Sequence, residues 1–79
     1  MADYVIAKTL DYKGLACPMP VVKISQQIGS VAVGDVIEVH TTDPGSLADF
    51  PAWAKTTGHQ ILETQREPGL IKIFVKRLK

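Results

Sequence analysis

The chain has a single cysteine, Cys17, in the segment Cys17-Pro18-Met19-Pro20. Judged by residue type alone, a lone cysteine in a small protein is as often a buried apolar residue as a reactive one. Cys17, however, follows the glycine-containing connection at Gly14 and precedes two prolines, which predicts a surface loop. Because prolines are tolerated in the first turn of a helix, we expect a helix to begin at or beside Cys17.

This predicted position favours nucleophilic chemistry. The unpaired amides and the dipole at a helix N-terminus stabilise the thiolate, which is the reactive form of cysteine. Pro18 and Pro20 lack amide hydrogens, which weakens this effect, but they also stiffen the turn that presents the sulfur. Enzymes of disulfide exchange usually pair an attacking with a resolving cysteine, and no second cysteine exists here. The pattern therefore favours a thiol that is presented to the active site of a partner.

Four further residue types could contribute to a site. Lys23 could attract an anion, although exposed helix lysines are generally solubilising. Asp43 could act from a loop, but a cap of the second helix is the favoured interpretation. His40 and His59 show no metal-ligand spacing to Cys17, so we predict no metal site and no cofactor. Trp53 could anchor a partner, and its spacing favours the core.

Composition limits the classes of function. Seventy-nine residues predict one domain over residues 1–79, and one cysteine excludes an internal disulfide. Nine Lys+Arg against eight Asp+Glu give a net charge of +1, so no overall field attracts nucleic acid or membrane. The basic stretch Lys76-Arg77-Lys79 is only a modest patch for nucleic acid. Without a signal-like start or a membrane-length apolar run, we expect a cytoplasmic protein with no membrane insertion.

The pattern of apolar residues predicts the order strand, helix, strand, helix, strand, strand. The first strand is expected over Ile6 to Leu10 and the first helix from Cys17 to near Gly29, with Val21, Ile24 and Ile28 on its apolar face. The next strand is expected over Val36 to Thr41, and two final strands, Gln60 to Arg66 and Leu70 to Leu78, flank the turn Glu67-Pro68-Gly69.

The second helix is predicted between Asp43 and Gly58, with Thr42 or Asp43 as its cap and Pro44 in its first turn. Pro51 predicts a break or a restart within it. Leu47, Phe50 and Trp53 are its expected buried residues.

These elements predict an α+β fold. It is a two-layer α/β sandwich of order βαβαββ, with two helices packed on one face of a four-stranded mixed sheet. The opposite face, with Glu38, His40, Lys72 and Lys76, is then expected to be solvated.

The chain resembles the TusA-like (SirA-like) sulfur-carrier family. The family's Gly-x-x-Cys-Pro-x-Pro signature is matched by Gly14, Cys17, Pro18 and Pro20. The similarity continues through Leu10-Asp11, Val21, Lys23, Asp43-Pro44 and Asp49-Phe50-Pro51, and so spans essentially the whole chain. A departure is Ala52-Trp53-Ala54, where some relatives carry a second cysteine, so an internal resolving role is not expected.

The resemblance implies that Cys17 receives sulfane sulfur as a persulfide and relays it to an acceptor protein, which is sulfurtransferase-type chemistry. The implied partners are a donor, such as a cysteine desulfurase or a rhodanese-like protein, and an acceptor, such as a DsrE-like sulfurtransferase. The destinations left open are transfer-RNA thiolation, cofactor synthesis, sulfur oxidation and thiosulfate use. We expect a monomer that makes no direct contact with nucleic acid. The alternative is a non-catalytic regulatory or transporter-associated module that binds a partner.

Overall fold

The computed structural model describes residues 5–16 and 19–79. Cys17 and Pro18 lie outside the described residues, as do residues 1–4. The strands are β1 (Ile6–Tyr12), β2 (Val36–Thr41), β3 (Gln60–Glu67) and β4 (Leu70–Lys76). The helices are α1 (Met19–Gln27), continued by a short 3-10 helix (Ile28–Ser30), and α2 (Ser46–Thr57).

The four strands form one mixed sheet in the order β1-β2-β4-β3. β1 and β2 run parallel and are connected through α1, whereas β4 pairs antiparallel with both β2 and β3. Parallel neighbours require such a crossover connection, while the last two strands need only a tight hairpin. The structure confirms the predicted α+β sandwich with its two helices and four-stranded mixed sheet.

Both helices cover the same face of the sheet. Alternate strand residues point to that face because successive side chains of a strand alternate between the two sides. They form one buried cluster with the inner residues of both helices: Tyr12, Ile24, Val31, Ile37, Val39, Phe50, Trp53, Ala54, Ile71, Ile73 and Val75. This burial of apolar surface stabilises the fold and holds α1 against β1 and β2.

The opposite face of the sheet is less solvated than expected. Glu38 and His40 lie on it, contact each other and are only about one-fifth exposed, at 20% and 23% of their side chains. Val36 and Phe74 share this face by alternation and register, and both are buried. Buried apolar side chains therefore lie among the partly exposed charged side chains on this face.

The strand ends differ from the predicted ones by a few residues. β1 continues through Asp11 and Tyr12, since these residues pair with His40 and Thr41 of β2. β4 ends at Lys76, before the predicted end at Leu78. Each strand ends where its pairing with the neighbouring strand ends. The apolar pattern of a single segment carries no information about the length of that neighbour.

α2 is unbroken, so the predicted interruption at Pro51 is wrong. Pro51 lies inside the helix and is exposed. It lacks the amide of one helical hydrogen bond, yet burial of Phe50, Trp53 and Ala54 on the other side holds the helix together. The helix ends where predicted, with Gly58 at φ 85° and its amide on the carbonyl of Ala54.

Candidate functional site

The loops that follow β1 and β2 lie side by side. Because the two strands are parallel, their carboxyl ends meet at one edge of the sheet, where Tyr12 pairs with Thr41. The amide of Gly14, in the first loop, donates a hydrogen bond of 3.0 Å to Oγ1 of Thr42 in the second. The segment that leads into Cys17 is thus fastened to the loop that leads into α2.

Gly14 is also the residue that turns the chain. Its φ is 83°, a left-handed value that other residues adopt only with strain. The amide of Leu15 donates to the carbonyl of Tyr12 at 3.2 Å, which closes a four-residue turn with Gly14 in its third position. A type II turn requires positive φ at this position, which explains why the motif has a glycine there.

The chain is anchored on the other side of Cys17 and Pro18 as well. The amide of Met19 donates to the carbonyl of Ala16 at 2.9 Å, so the described residues on either side are hydrogen-bonded to each other. Pro20, in the first turn of α1, is fully buried. The predicted supporting residues Gly14 and Pro20 therefore hold the two flanks, while the predictions for Cys17 and Pro18 concern residues outside the described part.

Asp43 organises the loop after β2. Its Oδ1 accepts the amide of Gly45 at 3.0 Å, and its carbonyl accepts the amide of Ser46 at 3.0 Å. Its own amide donates to Oγ1 of Thr41 at 3.2 Å. The cap residue of α2 is Gly45, so neither Thr42 nor Asp43 is the cap. Asp43 stabilises the turn before the helix, because its carboxylate accepts the amide of Gly45 and its carbonyl accepts the amide of Ser46.

Lys23 borders a groove between β1 and α1. The groove has a volume of about 220 Å³ and is lined by Leu10, Tyr12, Lys23, Gln26 and Gln27. The hydroxyl of Tyr12 is buried and has no hydrogen-bond partner among residues 5–16 and 19–79. This burial raises the pKa of Tyr12 above its usual value. Sequence reasoning missed Tyr12, although its spacing from Leu10 would have placed both on the covered face of an extended β1.

The two histidines have contacts of their own. The His40 ring contacts the Glu38 carboxylate on the uncovered face of the sheet. His59 packs on Trp53 with the ring centres 5.4 Å apart, and its Nδ1 accepts the amide of Leu78. Burial, together with Arg77 and Lys79, lowers the pKa of His59. Trp53 is itself part of the core, as favoured from its spacing.

Two larger features are absent from the described ranges. No group of three or more His, Cys, Asp or Glu residues could hold a metal ion there. No helix among the described residues is both long and apolar enough to cross a bilayer.

Fold and site together define a small α+β domain in which the only cysteine of the sequence lies between β1 and α1, and both flanks of that segment are anchored by hydrogen bonds. The family model described as "Sulfurtransferase TusA" matches residues 8–77, and the chain belongs to this family. It is 38% identical over 77 residues to the sulfur carrier protein TusA of Allochromatium vinosum, covering 98% of this chain and 99% of that one. It is 41% identical over 70 residues to the putative sulfur carrier protein YrkI of Bacillus subtilis, covering 89% and 93%.

A relative of greater length also matches. The putative sulfur carrier protein YrkF of Bacillus subtilis is 48% identical over 68 residues, covering 86% of this chain but only 37% of the relative. The chain thus spans little more than a third of that protein. A crystal structure of a SirA-like protein from Desulfitobacterium hafniense superposes with a TM-score of 0.77 at 23% identity, covering 91% of this chain and 99% of the other. That likeness shows the same fold.

Proposed function

We propose that this chain is a sulfur carrier, which accepts sulfane sulfur as a persulfide on Cys17 and passes it to an acceptor protein. The observation that carries the proposal is the family match over residues 8–77, which includes the chain's only cysteine. The relatives named sulfur carriers support it. The hydrogen bonds at Gly14 and Met19 support it further, because a carrier must present its thiol from a fixed platform.

The chemistry is a pair of sulfur transfers. The thiolate of Cys17 attacks the outer sulfur of a donor persulfide, forming a new S–S bond while the donor S–S bond breaks. The donor cysteine leaves as a thiolate, and the proton stays on the transferred sulfur, giving Cys17-S-SH. An acceptor thiolate then attacks the same outer sulfur and releases the Cys17 thiolate. Each step exchanges one S–S bond for another, so no external oxidant or reductant is needed.

The partner enzymes supply the remaining catalytic groups. The donor is a cysteine desulfurase or a rhodanese-like protein, and the acceptor is a DsrE-like sulfurtransferase or its equivalent. Met19 and Val22, in the first two turns of α1, are 42% and 40% exposed and offer an apolar contact surface close in sequence to Cys17. Lys23 and Asp43 are candidate partner contacts beside it. In this proposal the chain is a monomer that works in a reducing compartment such as the cytoplasm.

The test is the intact mass of the purified protein after incubation with a cysteine desulfurase and cysteine, or with a rhodanese and thiosulfate. We expect a gain of one sulfur that reductant removes, and no gain in Cys17→Ser. Cys17→Ala serves as a second variant, because it removes the thiol without adding a hydroxyl. Circular dichroism and thermal unfolding of both variants should match the wild type, since the fold does not depend on a disulfide.

Two results would contradict the proposal. Sulfur gain in Cys17→Ser would place the acceptor elsewhere, and no gain in the wild type, with Cys17 still open to alkylation, would remove the carrier function. If a partner protein also binds Cys17→Ser as tightly as the wild type in that second case, the alternative of a regulatory, partner-binding module takes its place.

A further inference from the structure

The groove between β1 and α1 has the lining of an anion site. Of its five lining residues, one is a lysine, two are glutamines and one is a tyrosine, and none carries a carboxylate. α1 contains no acidic residue along its whole length. Lys23 makes no ion pair with another described residue, so its charge is not neutralised within residues 5–16 and 19–79.

A second lysine, Lys8, orients the side-chain amide of Gln27 in this groove. Lys8 donates from Nζ to Oε1 of Gln27 at 3.1 Å and to Oγ of Ser30 at 2.9 Å. Since the oxygen of the Gln27 amide is thereby engaged, its NH₂ group remains to donate elsewhere. Lys8 also adds positive charge behind this amide, which strengthens the preference of the groove for a negative ligand.

The hydroxyl of Tyr12, which also lines the groove, is a hydrogen-bond donor without a partner among the described residues. A buried hydroxyl without a partner is unfavourable, so a ligand oxygen that accepts its hydrogen bond removes this cost. The side chains of Lys23 and Gln26 also line the groove and have no hydrogen-bond partner among the described residues. They are therefore free to move when a ligand approaches the hydroxyl.

The size of the groove limits the ligand. A volume of 220 Å³ corresponds to about seven water molecules at roughly 30 Å³ each. A small oxyanion with a few bound waters fits this space. The groove is bounded by the strand that enters the segment containing Cys17 and by the helix that leaves it.

We propose that this groove is a binding site for a small oxyanion, held by Lys23, Gln27 and the Tyr12 hydroxyl. This inference rests on the proposed function for the choice of ligand, because sulfite and thiosulfate are the oxyanions that accompany sulfane sulfur chemistry. Phosphate and sulfate are oxyanions of similar size and charge; they share the tetrahedral geometry of thiosulfate, whereas sulfite is pyramidal. Comparison of the affinities for the four anions therefore shows whether the site is specific for sulfur intermediates or binds oxyanions in general.

The test uses the full chain as Cys17→Ser, so that no anion can react with the thiol. Each anion is titrated into isotope-labelled protein at constant ionic strength, while the amide and side-chain NH₂ signals are followed by NMR. We expect saturable shifts at Tyr12 and Gln26 and at the NH₂ of Gln27. Tighter binding of thiosulfate and sulfite assigns the site to sulfur intermediates, and equal binding of all four assigns it to oxyanions in general.

Three variants identify the contacts. Lys23→Gln should weaken binding at least about tenfold, because a charge-assisted hydrogen bond is lost. Lys55→Gln, which makes the same change of charge on the exposed side of α2, should leave the affinity unchanged. Tyr12→Phe should weaken binding while the unbound protein is equally or more stable, since an unpartnered buried hydroxyl is removed.

Either of two results would overturn the proposal. One is the absence of saturable shifts with all four anions, and the other is an equal loss of affinity in Lys23→Gln and Lys55→Gln. The outcome is independent of the proposed carrier function, because the titration uses a protein without the thiol. Sulfur loading of the wild type, measured by mass, can succeed or fail separately.

Discussion

The substitution Gly14→Ala tests whether the turn before Cys17 matters through its backbone. A Cβ built at Gly14 has no atom within 4 Å, so the added methyl group meets no steric conflict. The remaining effect is the positive φ of 83°, which costs an L-residue roughly 1–2 kcal/mol. The lower entropy of the unfolded chain with alanine returns about 0.4–1 kcal/mol. The expected net loss is about 1 kcal/mol, or a fall in Tm of about 4–8 °C for a chain of this size.

Two other glycines provide matched controls. Gly34 has φ 96°, open space around its added Cβ and an amide bonded to the carbonyl of Arg77 at 2.7 Å. Gly34→Ala should therefore lose about the same stability as Gly14→Ala by the same backbone strain. Gly29 has open space and no positive φ, so Gly29→Ala should be neutral or stabilising by about 0.4–1 kcal/mol.

The rate of sulfur loading should distinguish Gly14→Ala from Gly34→Ala. Gly14→Ala strains the turn whose amide reaches Thr42, so the flank of Cys17 shifts and the rate of loading from a donor persulfide should fall. Gly34→Ala lies at the opposite edge of the sheet and should load at the wild-type rate. Thermal unfolding and the mass time course measure both effects. Equal loading by the two variants, or an unchanged Tm in Gly14→Ala, would refute the argument from turn geometry.

Two further predictions concern a loop contact and a histidine. Thr42→Val removes the acceptor of the Gly14 amide, so we expect a loss of about 0.5–1 kcal/mol in the free energy of unfolding and slower sulfur loading. If the effects of Thr42→Val and Gly14→Ala on stability and on loading rate add fully in the double variant, the two residues do not act together. The pKa of His59 is lowered in the folded protein, so the unfolded chain binds the proton more tightly and stability is lost as the pH falls below about 6.5. Between about pH 7.5 and 5.5 the wild type should therefore lose more Tm than His59→Gln, and an equal loss in both would contradict the assignment.

The fold was predictable because local and long-range preferences agree over most of the chain. The alternation of Ile37, Val39 and Thr41 predicts β2 with the ends that the structure has, since this central strand is bounded by turns on both sides. Pro68-Gly69 marks the hairpin, and Gly69 has the positive φ of 74° that such a turn requires. Where one segment carries its own boundary signals, its sequence is sufficient.

The wrong predictions fall where a neighbouring helix or strand determines the local structure. Asp11 and Tyr12 resemble the start of a turn, but pairing with β2 keeps them in β1. Pro51 signals a break by its own chemistry, and the buried residues around it outweigh that signal. The groove at Tyr12 was missed for the same reason. Its lining comes from a strand and a helix whose contact is a property of the tertiary fold.

The candidate site shows why the cysteine motif extends beyond the cysteine itself. If the chemistry consists of one thiol and a transferred sulfur, the domain contributes position and not additional reacting groups. Parallel pairing of β1 with β2 brings two loops to one edge, and the bond from Gly14 to Thr42 joins them there. The bond from Met19 to Ala16 and the burial of Pro20 fix the exit into α1. A mutation in any of these supports should therefore slow transfer without abolishing it, whereas loss of the Cys17 thiol should abolish it outright.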